Sequence, residues 1–421
     1  MSQFIGIIGI AFMFGVAWLM SENRKAVPWK MVAMATLMQL VLGILIAGIP
    51  ALNIKGPLNP FFSAANDAII SCLSFVDSGS KFVFGPLTQP EKIGDYIIAF
   101  KVLPTIIFFA SLMAVLYHFG IMQKIVNFFA MIMRRFLGIS GAESLSTAGN
   151  IFLGQTEAPL LVKPYVESMS RSEIMCVMVG GFANVAGGVL AAYVGMLSGM
   201  IPNIAGHLLT VSVMSAPATI VFAKIMVPEM KKDEVATNVS LSGQSIYTNG
   251  IDAAAHGALE GTQLAITVGG MLIAFIALMA MANGALGWLS DLTGLSLLLG
   301  SKISLELILG WLFAPFSWML GVSSEHILFA GQLLGKKLIL NEFVAYLDLA
   351  KNGSALDQRS ALIMSYALCG FANIGSIAIQ IGGIGSIAPG KKSELAALGV
   401  KAMFAGMFAS AMCGAIMGLL L

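Results

Sequence analysis

Residues 140–165 read SGAESLSTAGNIFLGQTEAPLLVKPY, two short apolar arms on either side of a polar centre that contains glycine and proline. Neither arm is long enough to cross a bilayer, because a spanning helix takes about 20 apolar residues. Residues 324–350, SEHILFAGQLLGKKLILNEFVAYLDLA, repeat this arrangement around NEF. Both stretches lie between apolar segments, and irregular backbone at membrane depth is tolerated where it is buried in protein or lines a cavity. We therefore predict two re-entrant hairpins whose tips line a site.

The composition around these hairpins is that of an integral membrane protein. Of the 421 residues, 58% are hydrophobic and 10% are charged, whereas a soluble domain carries about 25% charged residues. The 23 Lys and Arg residues nearly balance the 21 Asp and Glu residues, so no nucleic-acid partner is expected. The four scattered cysteines form no CxxC pair, and no HExxH or GxSxG motif occurs. We therefore expect neither an enzyme nor a resident cofactor.

Eight apolar runs are candidate spans: residues 4–20, 31–49, 97–120, 174–196, 204–227, 265–289, 361–384 and 401–421. Residues 121–137 place Lys124, Arg134 and Arg135 among large apolar side chains, which predicts a helix lying in the interface. The polar stretch 230–250 is predicted to be a solvent loop. Basic clusters follow the first, third, fifth and seventh spans, so the positive-inside rule places these loops in the cytoplasm and both termini outside.

The order of elements repeats: span, interfacial segment, hairpin, glycine-interrupted span, span. GFAN at 181–184 recurs at 370–373, an offset of 370 − 181 = 189, and the hairpin residues Glu157 and Glu342 are offset by 342 − 157 = 185. Each copy has three crossings and one returning hairpin, so the second copy must be inverted, as in secondary transporters. We predict an all-α membrane protein of about eight transmembrane helices. Its parts are peripheral scaffold spans with an interfacial helix at 1–95 and inverted repeats with broken helices at 96–230 and 251–421.

Glu157 and Glu342, one on each hairpin tip, are the leading functional candidates, because ionisable groups at membrane depth are costly and usually functional. We expect no Lys or Arg at their depth. Such a pair would repel anions and accept hydrogen bonds from hydroxyl groups. Neighbouring groups that both donate and accept are those of Gln155, Thr156, Asn373 and Ser376. A neutral polyhydroxylated substrate with an amide-bearing ring would fit, with the Phe371 ring beside it. The alternatives are a helix-capping role for either glutamate and ordinary packing for Phe371.

Two asparagines suggest a cation site. Asn150 lies on the first arm of the first hairpin, and Asn184 lies at the glycine break of the adjacent span. Amide oxygens together with the carbonyls of an unwound helix form an all-oxygen site suited to Na⁺. The alternative is that both amides cap broken helix ends.

Four motifs resemble bacterial members of the concentrative nucleoside transporter family, and the resemblance covers essentially the whole chain. They are NIFLGQTEAPL (150–160), GGFANVAGGVLAAY (180–193), NEFVAY (341–346) and CGFANIGSIAIQIGGIGSIAP (369–389). The resemblance implies cation-driven import of nucleosides such as uridine across the bacterial inner membrane. It also implies an elevator-like movement of a transport domain against a trimeric scaffold.

The resemblance also implies roles for individual residues. The nucleobase would be read by Gln155, Thr156 and Glu157, with Val189 packing on it. The ribose hydroxyls would be held by Glu342, Asn373 and Ser376, with Phe371 alongside. Sodium would be bound by the Asn150 and Asn184 side chains and by the carbonyls of Leu153 and Val185.

One position departs from part of the family. Some sodium-coupled members have serine where Asn184 stands, and proton-coupled relatives exist, so proton symport is one alternative. From another class, a cation channel could use the two glutamates as a selectivity ring.

Overall fold

The computed structural model describes residues 4–88, 97–230, 247–294, 296 and 302–421. Within these ranges the regular structure is helical, and the only β element is an isolated bridge between Ile49 and Ile54. The predicted all-α membrane fold is confirmed. The helices of nine or more residues are Ile5–Leu19, Trp29–Ala47, Asn59–Phe84, Leu103–His118, Ile121–Leu137, Gly141–Gly149, Arg171–Ala183, Gly187–Leu197, Ile204–Met226, Gly250–Leu292, Leu305–Met319, Ile327–Ile339, Glu342–Asn352, Gln358–Leu368, Ile374–Ile387 and Lys392–Leu420.

Seven helical segments within the described ranges are long and apolar enough to cross a membrane: Trp29–Ala47, Asn59–Thr88, Ile98–His118, Arg171–Leu197, Ile204–Met226, Gly250–Leu292 and Pro389–Leu420. This set differs from the eight predicted spans at three places. The first span is only the 15-residue helix Ile5–Leu19, and the span at 361–384 is divided between two helices. The segment Asn59–Thr88 was not among the predicted spans. Most of the predicted loop at 230–250 lies outside the described residues.

The helices differ in how much of their surface the protein itself covers. Arg171–Leu197, Ile204–Met226 and Pro389–Leu420 are about nine-tenths buried, whereas Asn59–Thr88 and Gly250–Leu292 are mostly exposed. The buried helices therefore form an inner group, and the exposed ones form a periphery that presents apolar side chains outward. Such outward faces suit lipid, in which an apolar side chain loses nothing by exposure.

Each of the two segments predicted to be hairpins brings two helical arms together. In the first hairpin, Gly141–Gly149 is followed by irregular residues 150–157 and by the 3₁₀ turn Ala158–Val162. In the second hairpin, Ile327–Ile339 and Glu342–Asn352 are separated only by Leu340 and Asn341. The Asn341 side chain accepts a hydrogen bond from the Val344 amide at 2.9 Å, so the second arm begins with an ordinary N-cap. Glu157 and Glu342 thus lie at the turns, while insertion of the hairpins into the bilayer stays a prediction.

Two helices are interrupted, as the glycine-rich spans predicted. The first broken helix comprises Arg171–Ala183 and Gly187–Leu197, and the second comprises Gln358–Leu368 and Ile374–Ile387. The interruptions contact each other, because the Phe371 amide donates to the Asn184 carbonyl at 3.3 Å. The two copies of the GFAN motif therefore meet inside the protein.

Gly370 is required for this contact. Its φ is +139°, a region that side chains rarely adopt, and a Cβ there would lie 2.7 Å from the Phe182 carbonyl oxygen and 2.9 Å from that of Ala183. We expect Gly370→Ala to destabilise the protein by about 2 kcal/mol or more and to lower its melting temperature in detergent. Gly382→Ala is the matched control, because nothing lies within 4 Å of its added Cβ and the residue is helical. Equal melting temperatures for the two variants would contradict this account of Gly370.

Charged side chains tie the inner helices together. The buried ammonium of Lys224, on Ile204–Met226, pairs with Glu143 in the first hairpin and donates to the Ser172 hydroxyl at 2.9 Å. Outside the spans, Glu22 accepts from the Arg171 guanidinium at 2.9 Å and from the Lys401 ammonium at 2.9 Å. The hydrogen bonds from Arg171 and Lys401 hold the pKa of Glu22 at about 2.

Candidate binding site at the hairpin tips and helix breaks

Glu342 is held inside the protein by two donors from different elements. It is the first residue of its arm and is 4% exposed. The Tyr193 hydroxyl donates to Oε1 at 2.9 Å, and the Asn373 Nδ2 donates to Oε2 at 3.2 Å. The Tyr193 ring stacks on Tyr346 of the same arm, with 4.2 Å between ring centroids. The carboxylate also lies at a helix N-terminus, where the dipole favours an anion, so capping and substrate binding are compatible roles for it.

Asn373 extends this arrangement into the second broken helix. It is the N-cap of Ile374–Ile387, and its Oδ1 accepts from the Ser376 amide at 2.8 Å while its Nδ2 reaches Glu342. The Ser376 hydroxyl accepts from Gln155 Nε2 at 3.2 Å. Gln155 belongs to the first hairpin, so one continuous set of hydrogen bonds joins both hairpins to the second broken helix. We call Gln155, Glu342, Asn373 and Ser376 the polar cluster.

Two members of the surroundings were not predicted as site residues. Gln380 donates from Nε2 to Gln155 Oε1 at 3.3 Å and to the Met178 carbonyl at 3.1 Å, and Tyr193 binds Glu342 as described above. Both are polar side chains inside otherwise apolar spans. That pattern is the signal that could have identified them from the sequence.

The remaining predicted nucleoside-binding residues surround the cluster without joining its hydrogen bonds. Glu157 is exposed, and its carboxylate accepts from the Gly154 amide at 2.6 Å. Thr156 packs closely on Gly383: a Cβ added to this glycine would lie 2.7 Å from the Thr156 methyl carbon. Val189 is buried, whereas Phe371 is half-buried at the second helix break. Within the described ranges no hydrogen bond joins Glu157 to Glu342, and the two carboxylates have different partners.

The expectation that no Lys or Arg lies at the depth of the glutamates is wrong for Glu342. Lys337, on the first arm of the second hairpin, is 1% exposed and lies five residues before Glu342, which begins the next arm. The sequence places this lysine on the first arm of the second hairpin but does not show which way its side chain turns. A lysine in the last turn of a helix can instead turn inward when carbonyl oxygens are available to receive it.

The candidate cation residues come from two neighbouring irregular segments. Asn150 ends the first helix of the first hairpin, and Asn184 ends Arg171–Ala183. The Phe152 carbonyl accepts from the Gly187 amide at 3.0 Å, which places residues 150–153 beside the first helix break. Leu153 and Val185, whose carbonyls were predicted as ligands, belong to these same two segments.

The Asn150 side chain caps its helix end with only one of its atoms. Its Nδ2 donates to the Ser146 carbonyl at 3.0 Å, whereas its buried Oδ1 has no partner among the described residues. A capping role therefore accounts for the Asn150 amide nitrogen but not for its oxygen. An unpaired buried acceptor is costly unless a ligand or water satisfies it.

The single hydroxyl proton of Ser215 bears on whether the Asn184 side chain also presents an unpaired oxygen. The Ser215 hydroxyl lies 2.5 Å from Asn184 Oδ1 and 2.8 Å from the Ser212 carbonyl, but a hydroxyl has one proton and a carbonyl only accepts. If Ser215 donates to Ser212, the Asn184 amide must be turned so that Nδ2 faces the hydroxyl. As the amide stands, its Nδ2 has no partner in the described part of the chain. After the turn, the atom without a partner is Oδ1. With the Asn184 amide turned in this way, the two asparagines would present two unpaired amide oxygens, a donor set that fits a hard monovalent cation.

Broken helices, hairpin-like segments and buried polar groups together define a secondary transporter. The chain belongs to the Na⁺-dependent nucleoside transporter family. Family profiles described as "Na+ dependent nucleoside transporter N-terminus", "Nucleoside recognition" and "Na+ dependent nucleoside transporter C-terminus" match residues 8–87, 99–200 and 207–418. The resemblance to concentrative nucleoside transporters is confirmed, and the family consists of transporters, not enzymes.

Relatives from bacteria and animals match almost the whole chain. An uncharacterized transporter of Haemophilus influenzae is 40% identical, over 100% of this chain and 98% of its own length. Nucleoside permease NupC of Helicobacter pylori is 38% identical, over 99% of this chain and 98% of its own. Human solute carrier family 28 member 3 is 37% identical over 99% of this chain but only 60% of its own length.

Solved structures of CNTnw share the fold. CNTnw in an inward-facing substrate-bound state has a TM-score of 0.89 at 40% identity and covers 100% of this chain and 98% of its own. A double variant of CNTnw in an outward-facing state gives the same TM-score, identity and coverage. The relative has therefore been captured with access from opposite sides.

Proposed function

We propose that this protein imports nucleosides by symport with Na⁺. The observation that carries the proposal is the polar cluster, in which a buried carboxylate, amides and a hydroxyl converge, together with the unpaired Oδ1 of Asn150 beside the first helix break. A carboxylate accepts strongly from hydroxyl groups, so Glu342 suits the ribose of a nucleoside. Asn373 and Ser376 supply further donors and acceptors for the same hydroxyls.

In this proposal the first hairpin binds the nucleobase. Gln155, Thr156 and Glu157 offer amide, hydroxyl and carboxylate groups, which match the mixed donors and acceptors of a base edge. Val189 would pack on the base, and Phe371 would lie alongside the ribose. Sodium would be bound by the Asn150 and Asn184 side chains and the carbonyls of Leu153 and Val185.

Transport would follow from an elevator-like movement of the inner helices and hairpins against the peripheral helices. This assignment rests on the contrast between the buried inner helices and the exposed periphery. The two copies at 96–230 and 251–421 would be inverted repeats, and the periphery would form the scaffold of a homotrimer. We place the protein in a bacterial inner membrane with both termini outside, because the basic loops after alternate spans favour that orientation.

Uptake by proteoliposomes under separately imposed gradients tests the proposal. We expect an inward Na⁺ gradient to accumulate labelled uridine above the external concentration at constant pH, and a proton gradient without Na⁺ to fail. Accumulation driven by protons alone would establish the proton-coupled alternative. Preloaded unlabelled uridine should stimulate entry of labelled uridine by counterflow. Saturable cation current without counterflow would instead identify a channel.

A further inference from the structure

Lys337 is a buried ammonium for which the described residues provide no carboxylate in direct contact. It is 1% exposed, and its Nζ donates to the Ala367 carbonyl at 2.9 Å and to the Ser410 hydroxyl at 2.7 Å. The buried Lys224, in contrast, pairs directly with Glu143. Burying a charge is expensive unless an opposite charge and hydrogen bonds compensate for it. Neutral acceptors alone do not explain why a lysine occupies this position.

The surroundings of Lys337 correspond element by element to those of the candidate cation site. Asn150 ends the first helix of the first hairpin, and Lys337 lies in the last turn of the first helix of the second hairpin. The offset is 337 − 150 = 187 residues, between the offsets of 185 and 189 that relate the hairpin glutamates and the GFAN motifs. The two positions are therefore counterparts in the proposed repeats.

The elements that supply the neighbouring contacts correspond as well, although the two serines are 410 − 215 = 195 residues apart. In the first copy, Ser215 of the long helix Ile204–Met226 contacts Asn184 at the helix break. In the second copy, Ser410 of the long helix Lys392–Leu420 contacts Lys337, which also binds a carbonyl in the last turn before the second break. The last carbonyls of a helix lack partners within it and attract positive charge. Both positions therefore combine a serine with the negative end of a half-helix.

We propose that the Lys337 ammonium is a built-in cation, which occupies in the second copy the position that the first copy offers to the coupling ion. Its positive charge balances Glu342, which begins the next arm of the same hairpin five residues further along the chain. The balance keeps Glu342 available as an anion for the substrate hydroxyls at 4% exposure. The part concerning the coupling ion rests on the proposed function, whereas the pairing of charges does not.

The charge pairing is tested by a double-mutant cycle on melting temperature, measured in detergent without nucleoside. Lys337→Met should lower the melting temperature, because it leaves the Glu342 charge without compensation. In the Glu342→Gln background the same substitution should lower the melting temperature by less than half as much. Lys336→Met is the control: Lys336 pairs with Asp348 at 2.7 Å, so its effect should be the same in both backgrounds. Equal shifts for Lys337→Met in the two backgrounds would overturn the pairing.

This cycle remains informative if Lys337→Met alone fails to fold. The double variant should then recover a folded, monodisperse protein, because both charges are gone. Failure of the double variant to fold would count against the proposal. Since no substrate is present, a positive result would stand even if the protein proved not to transport nucleosides.

The correspondence with the ion site is tested by shortening the side chain. Lys337→Ser leaves space beside the Ala367 carbonyl and the Ser410 hydroxyl, and Asn150→Ala removes a ligand of the first site. The double variant Asn150→Ala, Lys337→Ser should gain a melting-temperature increase of several degrees in NaCl over choline chloride. The double variant Asn150→Ala, Lys337→Met, in which the longer side chain fills the space, should not respond. An equal response of the two would overturn the assignment of this position as an ion-site counterpart.

Discussion

Glu342→Gln is expected to abolish nucleoside uptake, with a loss of about 100-fold or more in substrate affinity. The amide oxygen of the variant still accepts from the Tyr193 hydroxyl, but its Nε2 group would face Nδ2 of Asn373, which in the wild type donates to Oε2 at 3.2 Å. Two donors would then face each other. The variant also loses the charge that strengthens hydrogen bonds from substrate hydroxyls. Hydrogen bonds to charged groups contribute about 1.5–3 kcal/mol each. Because about 1.4 kcal/mol is tenfold in affinity, weakening the bonds from two ribose hydroxyls gives about 100-fold or more.

Uridine uptake and equilibrium binding by the purified variant provide the measurement. Glu325→Gln is the matched control, since Glu325 is exposed at the start of the same hairpin region and should keep wild-type affinity. Normal uptake by the Glu342 variant would remove the ribose-binding role of this carboxylate.

Asn150→Ala is expected to remove the dependence of nucleoside binding on Na⁺. In the wild type, uridine affinity should rise about 5- to 150-fold between Na⁺-free and saturating Na⁺ at fixed pH, because coupling between two bound ligands is reciprocal. The substitution deletes the Asn150 Oδ1, the buried acceptor without a partner in the described ranges. The residual affinity should equal that of the wild type without Na⁺.

Calorimetric titration of uridine at graded Na⁺, with choline as the replacement cation, measures this coupling. Asn127→Ala, an exposed amide on the helix Ile121–Leu137, should retain the full Na⁺ response. A wild type that is indifferent to Na⁺ but strongly dependent on pH would contradict sodium coupling.

The sequence was sufficient for the architecture because hydrophobic length and glycine placement are local properties. Runs of apolar residues predicted the long inner helices, and the glycines around Asn184 and Asn373 predicted where they break. The span count was less secure. Counting apolar residues does not reveal that the first run forms only the 15-residue helix Ile5–Leu19. Nor does it reveal that Asn59–Phe84, with its serines, asparagines and charged residues, continues as one helix.

The site was only partly predictable, because its contacts join residues far apart in the chain. The hairpin motifs identified Gln155 and Glu342 as candidates, but their shared hydrogen bonds through Ser376 and Asn373 depend on packing between the two copies. The burial of Lys337 near Glu342 was not predicted for the same reason, because its hydrogen-bond acceptors lie 30 and 73 residues away in the chain. The nucleoside and sodium roles of these residues stay predictions.

The hydrogen bond between the two helix breaks has a consequence for the coupling between ion binding and nucleoside binding. The acceptor, the Asn184 carbonyl, belongs to the residue whose side chain is assigned to the ion, and the donor is the amide of Phe371, two residues before Asn373. An ion that reorients the Asn184 peptide therefore strains or relaxes the backbone that aims Asn373 at Glu342. If the ion and the nucleoside bind as proposed, their coupling needs no long relay, because one amide–carbonyl hydrogen bond joins the two helix breaks.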